Sequence, residues 1–381
     1  MLFGTLEASH MITSAKSDSP DVSILGVGTS VPKFRVNCQT GARFAQRTSF
    51  VDASQSRKVQ TLYRRSGIEN RGSVLLEADP ASELVNDFYP PALSADDRGP
   101  STGSRNDRYA AEAPLLAEQA SAAALRQSCV AADQITHLIT VSCTGFSAPG
   151  VDIALIDRLG LAATTERIQV GFMGCHGAIN GLRAAHGLVA ANDNAKVLLC
   201  CVELCSLHYQ YGLSSDQIVS NALFADGAGA MVLEANRSGV AMGYLQATGS
   251  CLVPDSREAM TWRIGDNGYE MTLSAQVPSL IERNLESFLA KWLESQGETI
   301  ESIGGWAVHP GGTRILSAVE SALRLGRGSL DVSRAVLGDH GNMSSATMLF
   351  IVNRFASLEQ RKPWLMLGFG PGLEIEVALI R

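Results

Sequence analysis

The chain has 381 residues, 45% of them hydrophobic and 18% charged, with a formal net charge of −7. That length calls for two domain-sized units rather than one simple core, and the acidic balance excludes the basic footprint of a nucleic-acid binder. No run approaches the roughly 18 consecutive apolar residues of a membrane span, and the N-terminus lacks the basic and apolar regions of a secretory signal.

In chain order, residues 1–21 read as a flexible lead-in, followed by a first half over 22–240 and a second over 241–381, with the change of plan near Asn236–Gly243. The polar segment PALSADDRGPSTGSRNDR (90–108) reads as an exposed loop, and the Ala-rich stretch after it as a helix. HLITVSC (137–143) is a short apolar strand and DIALIDRLGL a helix. Ile168, Val170 and Phe172 alternate as in a strand. From Cys175 onward Ala178, Ile179, Leu182, Ala185 and Val189 mark one helical face. KVLLCCVEL (196–204) is a continuous apolar run, as in a parallel strand covered on both faces. SLIERNLESFLAKWLES is helical, GGWAVH a strand and TRILSAVESALRL a helix. RAVLGDHGNMSSATMLFIVNRFA reads as a loop feeding a helix, and WLMLGFG and LEIEVALI close the chain as strands. Such alternation argues an α/β fold in layers.

The eight cysteines (Cys38, Cys129, Cys143, Cys175, Cys200, Cys201, Cys205 and Cys251) show no disulfide framework, which fits reduced thiols in a cytoplasmic setting. Cys200, Cys201 and Cys205 with His208 lack paired C-x-x-C spacing, and the first two point to opposite faces of a strand, so no metal site is expected.

Three residues stand at Gly-flanked element boundaries. Cys175, in FMGCHGAINGL, sits at a strand-to-helix turn; His309 ends the strand WAVHPGG; Asn342, in GDHGNMSSAT, precedes a helix. Alone, each has a structural explanation: a buried thiol, a satisfied histidine, a helix cap. Together they suit nucleophilic catalysis. A helix N-terminus and a nearby imidazolium both lower a thiol pKa, so a depressed Cys175 pKa is expected, and His with Asn supplies donors to a developing oxyanion. The order Cys, His, Asn also fits a papain-like protease, but no C-G-[SA]-C-[WY] stretch is present.

GCHGAINGLRAA, ALFADGAGA, WAVHPGG, GDHGNMSSATMLFI and GFGPGLEIE, in that order between Val22 and Arg381, resemble the bacterial type III polyketide synthases of the chalcone synthase-like family. The resemblance implies a thiolase-like fold, two stacked halves in αβαβα layers, and a homodimer. It implies acyl-CoA and malonyl-CoA as substrates, with no metal or redox cofactor. By resemblance Cys175 carries the acyl chain, while His309 and Asn342 drive decarboxylation of the malonyl unit and hold the enolate. Phe224 and Met271 take the gatekeeper positions, and Cys143, Thr144, Cys205, His208, Trp262 and Ser344 the substrate cavity. Lys58, Arg65 and Gly311 fall at the CoA-binding positions, and Ala148-Pro149 at a turn with a cis bond.

GFGPG is not a phosphate cradle, since it lacks the Lys and following helix of a P-loop. Trp262 stands where the plant enzymes have glycine and is expected to narrow the cyclisation side, while small Cys143 and Cys205 leave room for a tunnel. The implied reaction is condensation of malonyl units onto an aliphatic starter, giving an alkylpyrone or alkylresorcinol. A synthase making tetrahydroxynaphthalene from malonyl-CoA alone is the alternative. A β-ketoacyl synthase of the third class fits less well, because its His-Gln-Ala-Asn stretch is replaced by HPGG. A non-catalytic partner of the same fold would not need the intact Cys175, His309 and Asn342, and a cysteine hydrolase would release only hydrolysed thioester.

Overall fold

The computed structural model describes residues 22–381 apart from Phe50, Ser82 and residues 236–240. The lead-in 1–21 and most of the expected junction at 236–243 lie outside the described residues.

The first half contains β1 (Val22–Ser30), β2 (Arg35–Asn37), α1 (Cys38–Thr48), α2 (Ala53–Arg65), β3 (Asn70–Gly72), β4 (Glu77–Ala78), β5 (Leu84–Val85) and α3 (Thr102–Ser128). It continues with β6 (His137–Ser142), α4 (Val151–Leu159), β7 (Glu166–Gly171), α5 (Gly177–Ala191), β8 (Lys196–Leu204), α6 (Ser215–Leu223) and β9 (Asp226–Ala235). The second half contains β10 (Gly243–Leu252), β11 (Met260–Gly265), β12 (Gly268–Leu273), α7 (Val277–Ser295), β13 (Gly305–Val308) and α8 (Thr313–Leu323). It ends with α9 (Asp331–His340), α10 (Thr347–Ser357), β14 (Trp364–Gly370) and β15 (Glu374–Ile380).

A nine-stranded sheet runs in the order β13-β14-β15-β10-β1-β9-β8-β6-β7. The two-residue period of its strands sorts side chains into three cores. On β8, Val197, Leu199 and Cys201 face Ala178, Ile179 and Leu182 of α5. Leu198, Cys200 and Val202 face Ala113, Ala117 and Ala120 of α3. On β14, Met366 joins the α5 core with Leu349 and Val352 of α10. Leu365 and Leu367 join Leu285 and Leu289 of α7 and Leu316 and Val319 of α8. The layers are therefore α3 with α4, one half of the sheet, α5 with α10, the other half, and α7 with α8. This is the expected αβαβα arrangement. A helix buried on both sides is apolar nearly all round, which is why α5 and α10 read as they do.

Three local expectations change. The loop at 90–108 is shorter: α3 begins at Thr102, where the Ser101 hydroxyl accepts from the Ser104 N–H. Arg105 of this polar run is fully buried and donates to the carbonyls of Pro100, Leu207 and Tyr209. The stretch DVSRAVLGDH is the helix α9, with Val336 and Leu337 buried, and ends at Gly341. Strand β8 is parallel to β6 but antiparallel to β9, so its apolar run reflects burial on both faces and not wholly parallel pairing. Ala148-Pro149 is cis, as expected, and Lys362-Pro363 is a second cis bond.

Candidate active site

The two central helices start side by side. Each is led in by a single 3₁₀ turn, Gly174–His176 before α5 and Ser344–Ala346 before α10. Cys175 lies in the first turn, Ser344 opens the second, and Asn342 stands just before it. His309 follows β13 and donates its backbone N–H to Leu367 of β14, at 2.8 Å. The chain thus delivers Cys, His and Asn to one point from three elements.

Glycines permit the close approach. Gly174 has φ +77°, and a Cβ there would lie 2.6 Å from Pro371. A Cβ at Gly370 would lie 2.3 Å from the His176 ring. The terminal GFGPG loop is therefore the wall against which the Cys175 turn packs. Phe172, three residues before Cys175, has φ +58°, a strained value for a bulky residue that tends to persist at functional sites. Its ring stacks on Phe146 at 5.2 Å.

Cys175, His309 and Asn342 are 7%, 1% and 2% exposed and line one small cavity with Phe224, Met271 and Gly311. The Asn342 Oδ1 accepts from the Ser344 N–H at 2.8 Å. Its amide group is thereby left to donate, and Asn342 and Ser344 both act to lower the Cys175 pKa. Asn342 does not cap α10, whose N-cap position is Ala346. Both ring nitrogens of His309 are buried without a hydrogen-bond partner, so either can accept a proton.

The expected depressed thiol pKa is not what this environment gives. Burial pushes Cys175 up to about 12, against the hydrogen bonds from Ser344 and Asn342. Burial, with a contribution from His176, pushes His309 down to about 3. Burial thus opposes charge on both members of the pair, and His309 shares the Cys175 cavity, where an imidazole can serve as a general base.

Behind the thiol lies a carboxylate that the sequence reading missed. Glu203 is fully buried at the end of β8. It accepts from the Cys143 N–H at 3.1 Å and the Thr144 hydroxyl at 2.8 Å, and from Ser345. The Cys143 thiol lies 3.5 Å from Glu203 Oε1 and 3.3 Å from the Ser344 hydroxyl. Burial raises the Glu203 pKa, and these donors oppose it. The only signal was one acid inside an apolar strand.

Cys143, Thr144, Cys175, Cys205, Trp262 and Ser344 line a second small cavity, again with Phe224 and Met271. A larger cavity of about 480 Å³ lies beyond, and Cys205, Phe224, Trp262 and Met271 line it as well. Phe224 and Met271 border all three spaces. Trp262 donates its indole N–H to the Cys143 carbonyl at 2.8 Å, which fixes the ring as a partition. His208 lines the large cavity and stacks on Tyr269 at 4.0 Å. Its Nε2 donates to the Thr144 carbonyl at 2.7 Å and its Nδ1 accepts from the Tyr269 N–H at 3.0 Å. These bonds set a neutral tautomer, and burial lowers its pKa to about 3.

Lys58 and Arg65 sit apart from all three spaces, exposed on α2. Gly311 alone of the expected CoA positions reaches the Cys175 cavity. Cys200 and Cys201 face different cores, so they share no metal. Among the described residues, His176, Glu374 and Glu376 form a group with metal-ligand spacing. Glu376 is already held by Arg183 and Asn180, so a cation is supplied.

Residues 9–237 match the family model for the chalcone and stilbene synthase N-terminal domain, and residues 244–381 match that for the C-terminal domain. A 1,3,6,8-tetrahydroxynaphthalene synthase from Streptomyces peucetius subsp. caesius is 35% identical over 285 residues, covering 73% of this chain and 76% of that protein. The type III polyketide synthase pspB of Penicillium soppii is 29% identical, covering 96% of this chain and 97% of that protein. The crystal structure of PKS-I from the brown alga Ectocarpus siliculosus superposes with a TM-score of 0.87 at 28% identity, over 96% of this chain and 99% of that one. The type III domain of Steely1, a type I/III hybrid from Dictyostelium, superposes at 0.85 with 27% identity, over 95% and 99%. With both halves matched in order on a thiolase-like fold, the chain belongs to the chalcone and stilbene synthase family and is a type III polyketide synthase, an acyltransferase.

Proposed function

We propose that the chain loads an aliphatic acyl-CoA starter on Cys175 and extends it with malonyl-CoA to an alkylpyrone or alkylresorcinol. The Cys175 sulfur attacks the thioester carbonyl while His309 takes the thiol proton, and CoA leaves with a proton. Malonyl-CoA then loses carbon dioxide, His309 and Asn342 hold the enolate oxygen, and the enolate carbon attacks the acyl-cysteine. The steps balance without an oxidant, a reductant or a cofactor beyond the CoA thioesters. The cavity of about 480 Å³, separated from Cys175 by Phe224, Met271, Cys205 and Trp262, carries this reading. The thiol-side cavities hold only about 20 Å³ each, so a starter of any length must extend past the gate.

Each buried CH₂ contributes about 0.8 kcal/mol, so kcat/KM is expected to rise about fourfold per carbon, roughly fifteenfold per two carbons, between about C6 and C12 and then level off. Product analysis across that series, by mass, checks it; a flat series removes the tunnel. The tetrahydroxynaphthalene synthase among the relatives favours a second reading, in which malonyl-CoA alone yields an aromatic pentaketide. Incubation without a starter separates the two, since the acyl-starter enzyme should release acetyl-CoA and short pyrones.

A homodimer is part of the proposal. Strand β7 ends the sheet as an open edge, and Ile168 on it and Phe146 beside it are exposed. Such an edge is normally covered. Sedimentation should give a mass of two chains, and Ile168→Lys should lower it to one.

A further inference from the structure

The exposed charge of α1 and α2 is one-sided. Between Cys38 and Gly67 the chain carries Arg43, Arg47, Arg57, Lys58, Arg64 and Arg65 against one acid, Asp52, in a protein of net charge −7. All six cations are exposed, and among the described residues none is in an ion pair. Asp52 is committed to capping α2, accepting from Ser54 and Gln55. Arg43 and Arg47, four apart on one helix face, repel each other, and such pairs cost a helix a few tenths of a kcal/mol.

The face adjoins the active site. The C-terminal end of α2 runs into Gly67, where a Cβ would lie 2.8 Å from the Thr313 methyl. Thr313 closes the Gly311–Gly312 turn, and Gly311 lines the Cys175 cavity. Arg314, next in the chain, is exposed and likewise outside the ion pairs. Toward the other end of the helix, the Lys58 ammonium reaches the Leu213 carbonyl at 3.4 Å, beside Ser214 and Gln217 of the large cavity. At about 1.5 Å per residue the cations of α1 span about 6 Å and those of α2 about 12 Å. The nucleotide end of CoA needs a few cations at one spot, whereas six cations divided between two helices and opposed by one acid suit an acidic protein surface.

We propose that the α1–α2 face docks an acidic carrier protein that presents the starter as an acyl-phosphopantetheine thioester. The inference rests on the acyl-starter reading above. Both CoA and a carrier end in the same phosphopantetheine arm, so the chemistry at Cys175 is unchanged. The Cys175 sulfur–carbonyl bond forms, the carbonyl–phosphopantetheine sulfur bond breaks, and the Cys175 proton leaves by way of His309 on the carrier's thiol. Complementary charge speeds encounter and is screened by salt.

The test follows acylation of Cys175 by intact mass from three donors: dodecanoyl-CoA, dodecanoyl-pantetheine, and a dodecanoyl-loaded acyl carrier protein from a bacterial fatty-acid synthase. The carrier donor should acylate at least tenfold faster than dodecanoyl-pantetheine at 50 mM salt and lose most of that advantage at 300 mM. The double variant Arg43→Glu/Arg47→Glu should slow the carrier donor at least tenfold and the CoA donor less than twofold. A carrier no faster than pantetheine, or equal losses from carrier and CoA, overturns the proposal; the salt series on the unmodified enzyme decides it if the variant misfolds. Binding to phosphatidylglycerol vesicles without a carrier advantage would assign the face to a membrane surface instead. If no dodecanoyl donor acylates Cys175 while malonyl-CoA alone gives product, the acyl-starter reading itself fails.

Discussion

Cys175→Ala is expected to abolish both the acyl-enzyme and the polyketide, a loss of at least about four orders of magnitude, as for other covalent nucleophiles. Cys143 and Cys205 line the same cavity as Cys175, but burial, with Glu203 adding to it, holds both well above the ordinary thiol range. Among the described cysteines only Cys175 has its pKa lowered by both Asn342 and Ser344 and shares a cavity with His309. Intact mass after incubation with acyl-CoA reads the adduct, and peptide mapping locates it. An adduct that persists in Cys175→Ala on Cys143 or Cys205 would sink the assignment.

Alkylation separates the two charge states of the same pair. Because burial raises the Cys175 pKa and lowers that of His309, iodoacetamide at pH 7 should modify exposed Cys129 before Cys175. Modification of Cys175 should then climb with pH without levelling off below about 10. Preferential labelling of Cys175 below neutral pH would mean that a thiolate–imidazolium pair exists before substrate binds.

Much of this was legible in the sequence, and for identifiable reasons. Strands of β8 and β14 type announce themselves because two-sided burial demands unbroken apolar runs. Cys175, His309 and Asn342 stood out because glycines flank each of them, and close approach requires glycine there. What escaped notice depends on contacts distant in sequence. Arg105 looked like part of a solvated loop, yet it is buried because carbonyls more than a hundred residues away need its donors. Glu203 read as an ordinary strand residue until Cys143, Thr144 and Ser345 converged on it. The thiol pKa was misjudged because helix ends and histidines are visible in a sequence, whereas the depth of burial that outweighs them is not. The bridge that pairs the backbone of Phe224 with that of Asn342 was likewise hidden, because it joins segments more than a hundred residues apart and local pattern does not encode it.

That bridge bears on the second large effect, Asn342→Ala. The backbone of Asn342 is fixed independently of its side chain: its N–H donates to Leu223 at 2.9 Å and its carbonyl accepts from Ala225 at 3.0 Å. Truncation should therefore leave the loop and the Phe224 gate in place. It removes one anchor, the bond from Oδ1 to the Ser344 N–H, and one functional donor, the amide aimed at the thiol side of the cavity. Loss of a donor to a developing oxyanion typically costs about 3–4 kcal/mol, so malonyl-CoA decarboxylation should fall by roughly two to three orders of magnitude. Starter loading should survive, because His309 and Cys175 remain. Asn342→Asp, which keeps the acceptor for Ser344 but replaces the donor with an oxygen, should lose decarboxylation to a similar extent. Carbon dioxide release from malonyl-CoA and acyl-enzyme mass, measured on the same preparations, check both. Equal loss of loading and decarboxylation in Asn342→Ala would reduce the residue to a structural support for the Ser344 turn.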